Sequence, residues 1–177
     1  MTAHDPADEP FETYTFDGHP LGIRRRADVH RSGAWHRAAN VLLFDDAGRL
    51  YLQRRAAGKD LWPDAWDVSV GEHLQPGETF LDAAQRGLAE ELGITGLALS
   101  AIDPIVHATV EVPADGILDN ELQQSFRGVY AGPLSVDPAE VAAVRAVDRE
   151  TLVAEIRAGR ERHTPWLRAR LERLGWV

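Results

Sequence analysis

Hydrophobic and polar positions alternate with a period of two in several short segments of the first part of the chain, a pattern that favours strands. Phe11 to Phe16 alternates aromatic with polar side chains, and the Asp17-Gly18 turn after it predicts a hairpin with Leu21 to Arg24. A helical turn and three further strands are predicted to follow, at 26–31, 40–44, 50–53 and 66–70.

The period lengthens to that of a helix after Pro76. Thr79 and Asp82 fit an N-cap with an acidic first turn, and Gly93 fits the end of the helix. Between these ends, apolar side chains at helical spacing predict one buried stripe, formed by Leu81, Ala84, Leu88 and Leu92.

The rest of the chain is predicted to form three more strands and two closing helices, at 102–112, 122–130, 141–147, 148/149–158 and 164–174. This order of elements predicts an α+β fold, an α/β/α sandwich with a central mixed sheet. The length of 177 residues indicates one domain, covering 11–177, and the acidic and polar residues 1–10 predict a disordered N-terminal tail.

Composition narrows the classes of protein to consider. There is no apolar run of about 18 residues, so no membrane-spanning helix and no association with a membrane are expected. The absence of cysteine excludes disulfides and a thiol nucleophile, and no signal-peptide pattern opens the chain, so the cytoplasm is the expected compartment. The apolar residues of 166–177 are compatible with packing on the domain itself or with a homodimer.

The charge balance argues against nucleic acid as a partner. The chain carries 28 acidic and 19 basic residues, for a net charge of −9, whereas proteins that bind phosphate backbones usually present a basic surface. An acidic protein can still bind a small phosphorylated ligand if arginines or a metal ion supply positive charge locally.

The segment from Gly71 to Ile94 carries the most specific motif. It resembles the Nudix box, the loop–helix–loop signature of a superfamily that mostly hydrolyses diphosphates. Two positions depart from the family pattern, since Glu72 stands where a glycine is expected and Gly87 where a glutamate is expected. Seven positions agree in register: Glu78, Arg86, Leu88, Glu90, Glu91, Gly93 and Ile94. The resemblance implies a single Nudix domain with the Nudix α/β/α sandwich fold.

Diphosphate hydrolysis explains why the box needs carboxylates. Divalent cations neutralise the phosphate charges, and Mg²⁺ prefers oxygen ligands. Positions 87, 90 and 91 share one helix face, which here presents Glu90 and Glu91 as metal ligands and catalytic groups. Glu78 is expected to support the loop or the metal, and Glu72 or Glu121 is expected to replace the carboxylate missing at Gly87. The expected cofactor is Mg²⁺ or Mn²⁺.

Three basic residues are candidates for binding substrate. Arg55 and Lys59 follow a predicted strand near the presumed cleft, where each could bind a phosphate. Arg86 is the third candidate, although its i,i+4 spacing from Glu90 also favours a role in orienting that carboxylate.

Other parts of the chain resemble the isopentenyl-diphosphate-isomerase-like branch of Nudix proteins. This resemblance covers about 25–130 and rests on the runs 30–37, 52–63 and 66–73. It implies a site for Mn²⁺ or Mg²⁺, or for Zn²⁺, built from histidines and carboxylates at matching positions. These are His30, His36, His73, Glu91, Asp119 and Glu121.

Three functions remain open at this point. The isomerases of this branch carry a catalytic cysteine where Gly71 stands, and this chain has no cysteine, so isomerisation lacks one member of its acid–base pair. The favoured function is metal-dependent cleavage of the diphosphate bond in a nucleoside diphosphate derivative or another organic diphosphate. The alternatives are an isomerase-type enzyme and a catalytically degenerate diphosphate-binding module, which Gly87 keeps open.

Overall fold

A computed structural model describes residues 6–59, 61–112 and 116–177 of the chain. Within these ranges a two-stranded hairpin precedes a mixed sheet of eight strands, and four α-helices pack around the sheet. The strands are β1 (Pro10–Tyr14), β2 (Pro20–Arg25), β3 (His36–Phe44), β4 (Leu50–Arg55), β5 (Trp66–Asp67), β6 (Val70–His73), β7 (Ser100–Ala101), β8 (Val106–Val112), β9 (Ile117–Val129) and β10 (Val141–Val147). The helices are α1 (Arg26–Ser32), α2 (Phe80–Leu92), α3 (Arg149–Ala158) and α4 (Pro165–Arg173).

Strand β3 lies at the centre of the large sheet, whose main order is β10-β4-β3-β9-β7. It pairs in parallel with β9 and antiparallel with β4 and β6, which makes the sheet mixed as predicted. Almost every residue of β3 is buried, because the sheet is covered on both faces.

Alternate side chains of β3 reach opposite layers of the protein. Ala39, Val41 and Leu43 belong to the core that contains α2, whereas Leu42 and Phe44 belong to the core that contains α3 and α4. The sheet is thus sandwiched between α2 on one face and the two closing helices on the other, and the predicted α/β/α sandwich is confirmed.

Helix α2 begins and ends where the sequence predicts. Thr79 and Asp82 form a capping box, in which each side chain accepts a hydrogen bond from the backbone N–H of the other. Gly93 ends the helix in the left-handed conformation, with φ at 70°, which a glycine adopts without steric cost. These caps set the register of the helix against the sheet.

The buried face of α2 differs from the predicted stripe at one position. Phe80 is buried, whereas Leu81 is 40% exposed, so the inclusion of Leu81 was wrong. Gly87 and Glu91 also lie on the buried face, although neither belongs to the apolar pattern of the sequence. The helix therefore turns a glycine and a carboxylate toward the protein interior.

This corrected face leads to a stability prediction. Leu88→Ala is expected to lower the free energy of unfolding by about 2–5 kcal/mol, because Leu88 is 1% exposed and its truncation leaves a cavity. Leu81→Ala is the matched control and is expected to change stability by less than about 0.5 kcal/mol. Urea denaturation followed by circular dichroism measures both, and equal losses would contradict this face assignment.

Several predicted segments have different boundaries in the structure. The strand predicted at 66–70 is two short strands, β5 and β6, and the strand predicted at 102–112 is replaced by β7 and β8. Within the predicted tail, Pro6–Asp8 form a turn of 3-10 helix and Pro10 begins β1; the first five residues lie outside the described residues. Among described helices, none has the length and apolar character needed to cross a membrane.

Candidate active site

A cleft of about 1270 Å³ opens beside the N-terminal half of β3. Helix α1, strand β6, helix α2 and the loop after β4 contribute to its walls. The charged and titratable residues that line it include His30, Arg55, Lys59, Glu72, His73, Arg86, Glu90 and Glu91. Most of the sequence-predicted site residues are therefore brought to one cavity.

Three histidines and an aspartate meet next to this cleft, and two of them, His30 and His73, line it. His30 comes from α1, His36 from β3, His73 from β6 and Asp119 from β9, and their ligand atoms all lie within 4.8 Å of one another. We call these four residues the histidine cluster. The parallel pairing of β3 with β9 places His36 opposite Glu121, which adds a second carboxylate.

The distances within the cluster show how the side chains are aimed. His36 Nε2 lies 3.3 Å from Asp119 Oδ1 and 3.9 Å from Glu121 Oε1. His73 Nε2 lies 3.2 Å from Glu121 Oε1. Imidazole nitrogens and carboxylate oxygens thus converge on one small volume.

The state of His36 indicates what this volume can hold. Burial lowers the pKa of His36 to about 3, and the neighbouring His73 adds to the shift, so the ring is neutral at physiological pH. Its Nδ1 lies 3.2 Å from the Ala34 carbonyl oxygen, which only accepts, so Nδ1 carries the proton. No described residue hydrogen-bonds the buried Nε2. Its lone pair therefore faces a carboxylate, an arrangement that a divalent cation would stabilise.

Phe11 shields the histidine cluster from solvent. Its ring packs against the rings of His30, His36 and His73 at centroid distances of 5.8, 5.0 and 4.7 Å. The ring is buried at 1% exposure and belongs to β1, so the N-terminal hairpin forms part of the site. The alternation of aromatic and polar residues predicts this strand but not its contact with the histidines, because no local pattern pairs Phe11 with residues of other strands.

A second carboxylate pair lies at Glu72 and Glu91. Burial raises the pKa of Glu91 to about 8, and the nearby charge of Glu72 adds to this effect. Burial also raises the pKa of Glu72 to about 7, against the lowering effect of Arg86. A cation in the cleft would lower both pKa values by stabilising the ionised forms.

Arg86 joins the loop before α2 to the helix itself. Its Nε and Nη2 donate to both carboxylate oxygens of Glu78 at 2.8 and 2.9 Å, and Nη2 also donates to the His73 carbonyl at 2.9 Å. Its Nη1 lies 3.3 Å from Glu72 Oε1 and 3.3 Å from Glu90 Oε2. These contacts favour the orienting role of Arg86 over direct substrate binding, and the loop-supporting role of Glu78 over metal ligation.

The two glutamates of the box differ in their surroundings. The Glu91 residue is 6% exposed and reaches into the cleft, whereas the Glu90 side chain is 58% exposed and pairs with Arg86 at the rim. The sequence placed both on one helix face as equal candidates. Their burial makes Glu91 the stronger candidate for the chemistry.

Gly87 faces Glu72 at close range. A Cβ at position 87 would lie 2.6 Å from Val70 Cγ1, 3.2 Å from Glu72 Cβ and 3.4 Å from Glu72 Oε2. The carboxylate of Glu72 thus lies in front of the position where the family pattern has a glutamate. This placement supports the hypothesis that Glu72 compensates for Gly87.

This close approach leads to a second stability prediction. Gly87→Ala is expected to destabilise the protein by about 1–3 kcal/mol, because the added methyl group must displace the buried Val70. Gly87→Glu, which would restore the family residue, is expected to lower rather than raise activity because its side chain competes with Glu72 for space. Gly58→Ala is the stability control, since its added Cβ meets no atom of the described residues within 4 Å. Thermal unfolding of the three variants measures stability; unchanged stability of Gly87→Ala would contradict this packing.

Arg55 and Lys59, the two residues predicted to bind phosphate, also line the cleft. The Nε of Arg55 donates to the Leu61 carbonyl at 2.9 Å, its Nη1 donates to Asp67 Oδ2 at 3.3 Å, and its guanidinium lies over the Trp166 ring. Lys59 pairs with Glu140. Arg55 is therefore fixed in place at the cleft wall, while Lys59 is held by a partly exposed partner.

Comparison with known sequences places these features in a family. The NUDIX domain family model matches residues 34–169. An isopentenyl-diphosphate Delta-isomerase from Nocardia farcinica is 37% identical over 164 residues, which are 92% of this chain and 93% of that protein. Nudix hydrolase 3 from Arabidopsis thaliana is 36% identical over 153 residues, which cover 81% of this chain but 20% of that longer protein.

Comparison with solved structures gives the same fold. The Deinococcus radiodurans protein DR0079 superposes with a TM-score of 0.76 at 25% identity, over 93% of this chain and 98% of that one.

Proposed function

The chain belongs to the NUDIX domain family, and from this premise we propose that it is a divalent-metal-dependent hydrolase that cleaves the diphosphate bond of a nucleoside diphosphate derivative or another organic diphosphate. The observation that carries the proposal is the composition of one cleft. It combines His30 and His73 of the histidine cluster with the Glu72–Glu91 pair and the cations Arg55 and Lys59.

Two kinds of donor set in the cleft suit two kinds of ion. The histidine cluster and Glu121 combine imidazole with carboxylate, which suits Mn²⁺ or Zn²⁺. The carboxylates of Glu72 and Glu91 suit Mg²⁺, which prefers oxygen ligands. A bound divalent ion would supply Lewis-acid polarisation of the phosphoryl oxygens and neutralise their charge.

The protein's own side chains account for the remaining roles. Arg55 and Lys59 bind and orient the phosphates from the cleft wall. Arg86 fixes Glu72 relative to α2 by its ion pair. Glu72, whose carboxylate lies in front of Gly87, accepts the proton of the attacking water at a carboxylate oxygen.

Isomerisation of isopentenyl diphosphate is the second candidate, and the names of close relatives favour it. Gly71, at the position where that branch carries a cysteine, lines the cleft. A Cβ at this position meets only Asn40 Oδ1 at 3.6 Å and Val68 Cγ2 at 3.8 Å, which are ordinary contacts. The site therefore has room for a cysteine but lacks its thiol, which is why we favour hydrolysis.

A substrate panel tests the proposal. Nucleoside diphosphate sugars, dinucleoside polyphosphates, nucleotides and prenyl diphosphates are incubated with the protein and Mg²⁺ or Mn²⁺, and the products are identified by mass spectrometry. Cleavage of one diphosphate is the expected result. Isomerised prenyl diphosphate without cleavage would establish the second candidate, and Gly71→Cys would then be expected to increase that activity. Binding of a ligand without any turnover would instead establish a diphosphate-binding module.

A further inference from the structure

We infer that Arg170, on the C-terminal helix α4, is a positioning residue of the metal centre, because it fixes the carboxylate of Glu121 through Gln123. The inference rests on the proposed function and deepens it. Arg170 follows directly on the residues that the family model matches, 34–169.

The first link of this connection lies within β9. Asp119, Glu121 and Gln123 alternate along the strand and share one face, so the glutamine lies beside the metal-site carboxylates. The buried Gln123 donates a hydrogen bond from Nε2 to Glu121 Oε2. The other oxygen, Oε1, then points toward His73 Nε2 at 3.2 Å.

The second link joins α4 to the sheet. Arg170 is 4% exposed, and its Nη2 donates to Gln123 Oε1 at 2.7 Å. Its Nη1 donates to Asp103 Oδ2 at 3.0 Å, and Asp103 Oδ1 accepts from the Ser125 backbone N–H at 2.9 Å. The guanidinium is thereby held between the loop after β7 and the centre of β9.

The donors and acceptors on either side fix the orientation of the Gln123 side-chain amide. Arginine only donates hydrogen bonds, so the carbonyl oxygen of the Gln123 amide must face Arg170 and its NH₂ group must face Glu121. Without Arg170 the amide could rotate and present its oxygen to a carboxylate oxygen, which would repel Glu121. Partners of this kind, one contact beyond the ligands, commonly set ligand orientation and metal affinity.

Metal affinity tests the inference without measuring catalysis. Mn²⁺ binding to the metal-free full-length protein is followed by calorimetry, with Co²⁺ absorption as a spectroscopic readout. Gln123→Met and Arg170→Met are each expected to weaken Mn²⁺ binding by about 10–100-fold. The double variant is expected to be no weaker than the single ones, because both act through one connection. Arg168→Met is the control, since Arg168 is an exposed arginine of the same helix that pairs with Glu172, and its affinity is expected to stay within about threefold of wild type.

A structural readout separates this inference from the proposed function. In a crystal structure of metal-free Gln123→Met, the Glu121 carboxylate is expected to turn away from His73. An unchanged Glu121, wild-type affinity in the folded variant, or losses that multiply in the double variant would each overturn the inference. If Arg170→Met does not fold, Arg170→Lys replaces it, and an affinity between wild type and Gln123→Met is expected. Absence of turnover on every diphosphate would count against the proposed function alone, because none of these readouts depends on turnover.

Discussion

Glu91→Gln is expected to lower kcat for diphosphate cleavage by about 10²–10⁴-fold, the range typical for loss of a positioned acid–base or metal-binding carboxylate. Glu91 is buried in the cleft beside Glu72, and glutamine preserves its shape while removing its ability to become an anion. Stability should change little, since burial already raises the pKa of Glu91 to about 8 and disfavours its charged form in the metal-free protein. Steady-state kinetics on the substrate identified by the panel measure the loss.

Glu90→Gln is the comparison variant on the same helix. The Glu90 side chain is largely exposed and contacts Arg86 at the rim, so its removal is expected to cost far less activity than that of Glu91.

Retention of more than about a tenth of wild-type kcat in Glu91→Gln would fall outside the range expected for such a group and would contradict its role.

His36→Ala is expected to abolish the thermal stabilisation that Mn²⁺ gives the wild-type protein. An ion present at 100 times its Kd stabilises a folded protein by about 2.7 kcal/mol. For a domain of this length, that gain raises the Tm by about 5–10 °C. His36 supplies a buried nitrogen that no described residue hydrogen-bonds, so its loss removes a central ligand. Differential scanning fluorimetry with and without Mn²⁺ measures the shift.

His19→Ala is the histidine control for that experiment. His19 is exposed in the turn of the N-terminal hairpin and pairs with Asp17, outside the histidine cluster. It is expected to keep the full Mn²⁺-dependent shift. A shift of wild-type size in folded His36→Ala would show that the ion binds elsewhere, for example at the glutamate pair alone.

The local elements of this fold could be predicted because their signals lie close together in the sequence. Thr79, Asp82 and Gly93 define both ends of α2 within fifteen residues, and the Asp17-Gly18 turn defines the hairpin. The buried face of α2 was less predictable, because part of it consists of Gly87 and Glu91, whose burial follows from packing against β6 rather than from hydrophobicity.

The candidate site shows the same division between local and distant information. The resemblance to a known family made Glu91, His36 and His73 candidates by position, but it did not show that Glu90 is exposed. Contacts such as Arg170 with Gln123 join residues far apart in sequence, and only the pairing of β9 and the docking of α4 bring them together. The positioning role proposed for Arg170 rests on these contacts between distant parts of the chain.

A reaction in water enriched in ¹⁸O shows directly whether the protein hydrolyses a diphosphate or isomerises it. The protein is incubated with the organic diphosphate identified by the panel, in the presence of Mg²⁺ or Mn²⁺, and the products are analysed by mass spectrometry. We expect one ¹⁸O atom in one phosphate-containing product, because water attacks phosphorus. A rearranged substrate that carries no ¹⁸O and has an intact diphosphate would contradict hydrolysis and identify the protein as an isomerase.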